Sequence, residues 1–190
     1  MGKTIWRILK ILLAAVVFAL IAIFILRYST KLHSPEEIST YESGDLKLKV
    51  FYNRPYKKGR EIFGNLVPYG EVWRTGANEA TTFKTNKDIL IDGTLLEAGK
   101  YTLWTIPGEE SWKVIFNSKM YPWGTNFNRK AFRNAKYDAL VLEKPVEKLE
   151  KPLEQFTITF EEAGEFVYLN LEWDDTKVSV PIKPVSEPSY

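Results

Sequence analysis

Residues Ile11 to Leu26 are apolar without a break, and this run constrains the chain more than any other feature. Extended back through Lys10, Arg7 and Trp6 to Ile5, it covers about 22 residues, or roughly 33 Å of helix at 1.5 Å per residue. That length matches the hydrocarbon core of a bilayer. Arg7 and Lys10 can snorkel to the headgroups, with Trp6 at the interface. The sequence therefore predicts a transmembrane anchor over residues 1–27, with the lipid bilayer as partner of residues 5–26. A cleaved signal peptide fits less well. Its apolar core is usually about 7–15 residues long, and Arg27-Tyr28-Ser29-Thr30-Lys31 offers no convincing small-residue cleavage site. Lys3, Arg7, Lys10 and the terminal amine precede the span, while only Arg27 and Lys31 follow it closely. Positive-inside then puts the N-terminus in the cytoplasm and the rest outside, in the periplasm if there is an outer membrane.

Charge and cysteine usage exclude several classes of function. The chain has 26 basic and 24 acidic residues, and five of the bases but none of the acids lie in residues 1–32. Removing those five leaves 21 bases against 24 acids, so the remainder is slightly acidic and lacks the basic footprint of a nucleic-acid binder. No cysteine is present, which excludes disulfides, thiolate metal sites, cysteine nucleophiles and a lipoprotein anchor. His33 is the only histidine and stands alone near the span, so no metal site and no Ser-His-Asp triad is expected. No cofactor is expected.

Beyond the anchor the apolar pattern has period two. Leu46, Leu48, Val50 and Tyr52 alternate with lysines; Trp112, Val114 and Phe116 flank Lys113; Phe156, Ile158 and Phe160 enclose threonines; Val167, Leu169, Leu171 and Trp173 lead to Val178, Val180 and Ile182. Such alternation marks half-buried antiparallel strands. Asp92-Gly93 between two apolar triplets is a two-residue hairpin signal. Glu162-Ala163-Gly164 and Asp174-Asp175 read as further turns, and 126–136 as a short helix. The predicted fold is all-β: an antiparallel β-sandwich of about nine short strands over 44–182, preceded by one N-terminal transmembrane helix. Residues 28–43 read as a juxtamembrane linker and 183–190 as a flexible tail.

The densest stretch runs from Arg54 to Thr82, with Gly59, Gly64, Gly70 and Gly76 among Arg54, Arg60, Arg74, Asn78 and Glu79. Four closely spaced glycines indicate an ordered loop that turns repeatedly, with positive φ. Arg54, Arg60 and Arg74 can converge on a carboxylate or phosphate. Alternatively they clamp loop carbonyls and pair with Glu61, Glu71 or Glu79; on that reading Arg74 is the clamp and Arg60 is dispensable. Asn78 and Glu79 can orient a ligand or satisfy turn backbone. Trp123 is the expected exposed aromatic. The ligand-binding candidates are thus Arg54, Arg60, Arg74, Asn78, Glu79 and Trp123; no catalytic residue stands out. The carboxylate pairs Glu109-Glu110, Glu161-Glu162 and Asp174-Asp175 read as solvated turns. Arg129, Lys130, Arg133 and Lys136 form a basic patch without matching acids, a solvated loop or a contact for anionic headgroups.

Arg54-Pro55, Lys58-Gly59-Arg60, Ile62-Phe63-Gly64 and Leu66-Val67-Pro68-Tyr69-Gly70 lead into Val72-Trp73-Arg74-Thr75-Gly76-Ala77-Asn78-Glu79-Ala80-Thr81. With Asp92-Gly93, Ala98-Gly99-Lys100-Tyr101, Ile106-Pro107-Gly108, Trp112, Ile115-Phe116-Asn117 and Trp123-Gly124, this set resembles the bacterial domain of unknown function 2911 family. The resemblance spans roughly residues 45 to 175 and implies a β-rich extracytoplasmic domain without implying an activity. The favoured expectation is a membrane-anchored binding or interaction module with a membrane-protein or small-ligand partner. The alternatives are an enzyme acting through loop 54–79 on an anionic or sugar-like substrate, and an accessory subunit of a membrane complex. Ala15, Ala19 and Ala22 have the spacing for helix packing in the latter.

Overall fold

The computed structural model describes residues 2–126, 128 and 130–185. Helix α1 (Gly2–His33) is apolar all round, and none of its residues is buried. Its apolar run, residues 11–26, presents no polar face and is suited to an apolar solvent, whereas its last turns meet the domain. Among the described residues it is the one helix long and apolar enough to cross a membrane.

Ten strands follow. β1 (Glu36–Ser43), β2 (Leu46–Asn53), β3 (Thr82–Thr85), β6 (Gly99–Ile106), β7 (Ser111–Asn117) and β8 (Asp138–Pro145) form one antiparallel sheet in the order β1-β2-β3-β6-β7-β8. β4 (Ile89–Ile91), β5 (Thr94–Leu96), β9 (Glu147–Ala163) and β10 (Phe166–Pro184) form the second, ordered β5-β4-β10-β9. The predicted β-sandwich with one leading helix is the observed architecture. Alternating residues of β2, β7 and β10 enter the core between the sheets, where Val50, Phe116 and Leu171 are fully buried. Tyr52 crosses the gap, its hydroxyl accepting from Ile158 N at 3.0 Å. Asp92 and Gly93 both have positive φ, as the predicted two-residue hairpin of β4 and β5 requires.

Several boundaries differ from the sequence reading. Residues 28–43 are not a linker: the first six complete α1 and the last eight are β1, with Ser34 and Pro35 between. Polar, half-exposed Glu36–Ser43 shows no apolar alternation because it is an edge strand, paired along its length with β2. Asp174-Asp175 is not a turn. β10 is continuous, and a bulge centred on Asp174, with φ 55°, interrupts its pairing with β9. Across this irregularity, where β9 carries the extra residues, the inward face of β10 switches from Leu169, Leu171 and Trp173 to Val178, Val180 and Ile182. Lys57 pairs with the Asp174 carboxylate and Lys148 with Asp175. The short helix expected over 126–136 is replaced by a Thr125–Ala131 bridge and a 3-10 turn at Ala135–Tyr137. Arg133 has a matching acid after all, its guanidinium bonding both oxygens of Asp138. Arg129 lies outside the described residues. Of the expected tail, Lys183 and Pro184 belong to β10, and 186–190 lie outside the described residues.

Candidate functional site

Residues 54–81 join β2 to β3 as an ordered loop rather than a strand. Gly59, Gly64, Gly70 and Gly76 all have positive φ, as expected. At Gly76 the requirement is also steric, since a β-carbon there would lie 2.8 Å from Asn53 O. Ile62 and Val67 plug the loop into the core. Trp73 adds a bridge to the edge of β6, its N–H donating to Thr105 O at 2.7 Å and its carbonyl accepting from Thr105 N at 3.0 Å. Its indole donates to Gly76 O at 3.0 Å. The ring stacks on Trp173 at 6.0 Å and meets Phe63, Trp112 and Phe156 edge to face. Each such aromatic contact contributes about 0.5–1.5 kcal/mol beyond burial, so this cluster makes a rigid floor.

Above that floor lies a cleft of about 790 Å³. One wall is the glycine loop, with Lys58, Arg60, Leu66, Pro68, Glu71 and Arg74. The other is the end of α1, with Ser29, Thr30 and His33, and Ser34 just beyond it. Thr125 and Ala131 close one side. Among the described residues its charged groups are three cations and one exposed carboxylate, Glu71.

Arg74 is the unusual member. Its half-buried side chain lies against Gly124, and its guanidinium donates to Thr125 Oγ1 at 3.1 Å. Among the described residues no carboxylate lies within 4.0 Å of it. Burial pushes its pKa below the usual guanidinium value, partly offset by the charge of Glu79. It remains a cation at neutral pH. A half-buried charge without a counter-charge is costly unless something anionic completes it.

The other five sequence candidates divide differently. Arg54 is a structural clamp outside the cleft: it bonds Phe156 O at 3.1 Å, Thr157 Oγ1 at 2.9 Å and Glu37 at 3.3 Å, tying β2 to β9. Arg60 lines the cleft but also bonds the carbonyls of Lys57 and Tyr56. Arg60, expected to be the more dispensable, thus bonds two loop carbonyls from an exposed position, while Arg74, expected to clamp the loop, makes one hydrogen bond, to Thr125. Asn78, at φ 56°, turns its amide to the carbonyls of Thr30 and Ser34, both at 3.5 Å, and so holds the C-terminal end of α1. Glu79 accepts from Arg27 at 2.7 Å and Asn53 at 3.2 Å, with Lys31 at 3.7 Å. Burial raises the Glu79 pKa, but the Arg27 hydrogen bond and the two cations outweigh it and hold the carboxyl below its ordinary value. Trp123 is half-buried, with the Arg27 guanidinium 5.9 Å from its ring.

Sequence reasoning missed the helix wall, Ser29 to Ser34, and the seat that Gly124 and Thr125 give Arg74. The apolar run masks the first, since everything after it reads as linker. Trp123-Gly124 stood out in the motif set, but nothing local ties it to Arg74, fifty residues earlier.

The family model described as protein of unknown function (DUF2911) matches residues 34–182, and the chain belongs to that family. No curated protein and no solved structure matches it.

Proposed function

We propose that this member of the family is a membrane-anchored, extracytoplasmic binding module that holds a ligand's phosphate or carboxylate group in the cleft between α1 and the glycine loop. The observation that carries the reading is Arg74: a half-buried guanidinium on the cleft wall, held by Thr125 and, among the described residues, lacking a carboxylate partner. A planar donor set pre-positioned in this way suits bidentate recognition of an oxyanion. Lys58 and Arg60 add positive charge at the rim, and the half-buried Trp73 at the floor supplies apolar area. Binding is favoured over glycoside hydrolysis because, among the described residues, Glu71 is the one carboxylate lining the cleft, and that chemistry ordinarily needs two.

The anchor reading rests on the length of α1, its uncovered apolar surface and the basic bias at its start. These support a cytoplasmic N-terminus and a domain outside, facing the periplasm where an outer membrane exists.

The test is a thermal-shift panel on the full-length protein in neutral detergent. The panel contains phosphates and carboxylates, both water-soluble and carried on short-chain lipids. At least one should raise the melting temperature saturably in the wild type and not in Arg74→Gln. If no anion stabilises the wild type, the reading fails.

A further inference from the structure

Resting on that reading, we infer that the bound anion is the phosphate of an anionic membrane lipid, entering from the leaflet at which α1 emerges. The apolar run ends at Leu26. Ser29 and Thr30, which wall the cleft, follow by three and four residues, or about 4.5–6 Å of helix rise. A bilayer of about 40–45 Å overall, with a core of about 30 Å, leaves roughly 5–7 Å of headgroup layer on each side. The helix wall of the cleft therefore begins within that layer.

The domain is held at this depth. Only Ser34 and Pro35 separate α1 from β1. Arg27, the first residue past the apolar run, donates to Glu79, and Asn78 reaches the carbonyls of Thr30 and Ser34. These contacts fix the glycine loop, and Arg74 with it, beside the emerging helix. A water-soluble ligand would need no such placement, whereas a lipid phosphate already lies at this level.

The cleft chemistry fits the same class. Arg74 offers parallel N–H donors to phosphate oxygens. Leu66 is 42% exposed at the cleft and, with Pro68 and Ala131, gives an apolar wall for glycerol and the first methylenes.

The experiment uses the full-length protein in a non-ionic detergent, read by native mass spectrometry. It is titrated separately with dioctanoyl phosphatidylglycerol, glycerol phosphate and inorganic phosphate. The expected result is one phosphatidylglycerol bound per chain, weakened at least about tenfold in Arg74→Gln, with neither soluble phosphate binding at the same concentration. Ser29→Trp, a change at an exposed position on the helix wall, should obstruct the cleft and weaken binding similarly, which keeps the test valid should Arg74→Gln fold poorly. Equal binding of glycerol phosphate and the lipid would overturn the lipid source while leaving the anion cleft standing. Lipid adducts that never saturate, or that neither variant weakens, are annular lipid and would overturn the inference. Binding of none of the three would overturn it as well.

Discussion

Arg74 lies directly against Gly124: a β-carbon at position 124 would come within 2.6 Å of Arg74 Cβ and 2.9 Å of Cγ, and closer still to Cδ. The glycine is thus the seat of the arginine. Its missing side chain lets Arg74 run across the loop backbone to Thr125 and keeps the guanidinium at the cleft wall.

Gly124→Ala should displace Arg74. The crowding falls on the first carbons of the side chain, which cannot swing aside without moving its head. We expect about 1–3 kcal/mol of destabilisation, as for other overpacked sites, and anion binding lost in proportion to the displacement. Urea melts and ligand titration of the same variant check both; full binding would show that the seat is unnecessary.

Arg74→Gln should leave stability within about 1 kcal/mol of the wild type, because it removes one hydrogen bond to a hydroxyl and strands no carboxylate. Arg54→Ala should cost more, about 1–3 kcal/mol, because it unties Phe156 O, Thr157 and Glu37 at once. The two melting temperatures, measured side by side, decide; a larger loss at Arg74 would make it the structural clamp.

Glu79 makes the contact between α1 and the domain sensitive to acid. Its folded pKa lies below the ordinary 4.5, so its stabilising effect is complete above about pH 4.5 and is lost as pH falls through the lower folded value. The effect is on the order of 1 kcal/mol or less, since Arg27 is largely exposed. Glu79→Gln should flatten the acid limb of the melting profile without altering the neutral plateau's slope. An unchanged acid limb would remove Glu79 as its source.

The anchor is checked by extraction. Intact protein, its N-terminus retained, should stay with the membrane pellet after carbonate washing. A released species beginning near residue 28 or later would identify α1 as a cleaved signal.

Much of the fold was legible because it rests on local rules. The alternation of Leu46 to Tyr52 needs one buried face, and Asp92-Gly93 needs two positive φ angles; neither depends on distant residues. Legibility failed where a long-range partner decides the outcome. Arg27–His33 remains helical on a polar sequence with Asn78 holding its end, and Glu36–Ser43 becomes a strand because β2 offers an edge. The phase change in β10 reads equally as a turn or a bulge; pairing with β9 on both sides of Asp174 makes it a bulge. For the site, the glycines of 54–79 marked the right loop. The different surroundings of Arg60 and Arg74 were hidden, because those of Arg74 depend on Gly124 and Thr125 in another segment.

The most direct measurement is calorimetric titration of the full-length protein with the best anion from the panel, in the wild type, Arg74→Gln and Arg54→Gln. The expected result is a single saturable site in the wild type, nearly unchanged in Arg54→Gln and weakened at least about tenfold in Arg74→Gln, with affinity falling as salt rises. Equal affinity in the wild type and a folded Arg74→Gln would contradict an anion site in the cleft.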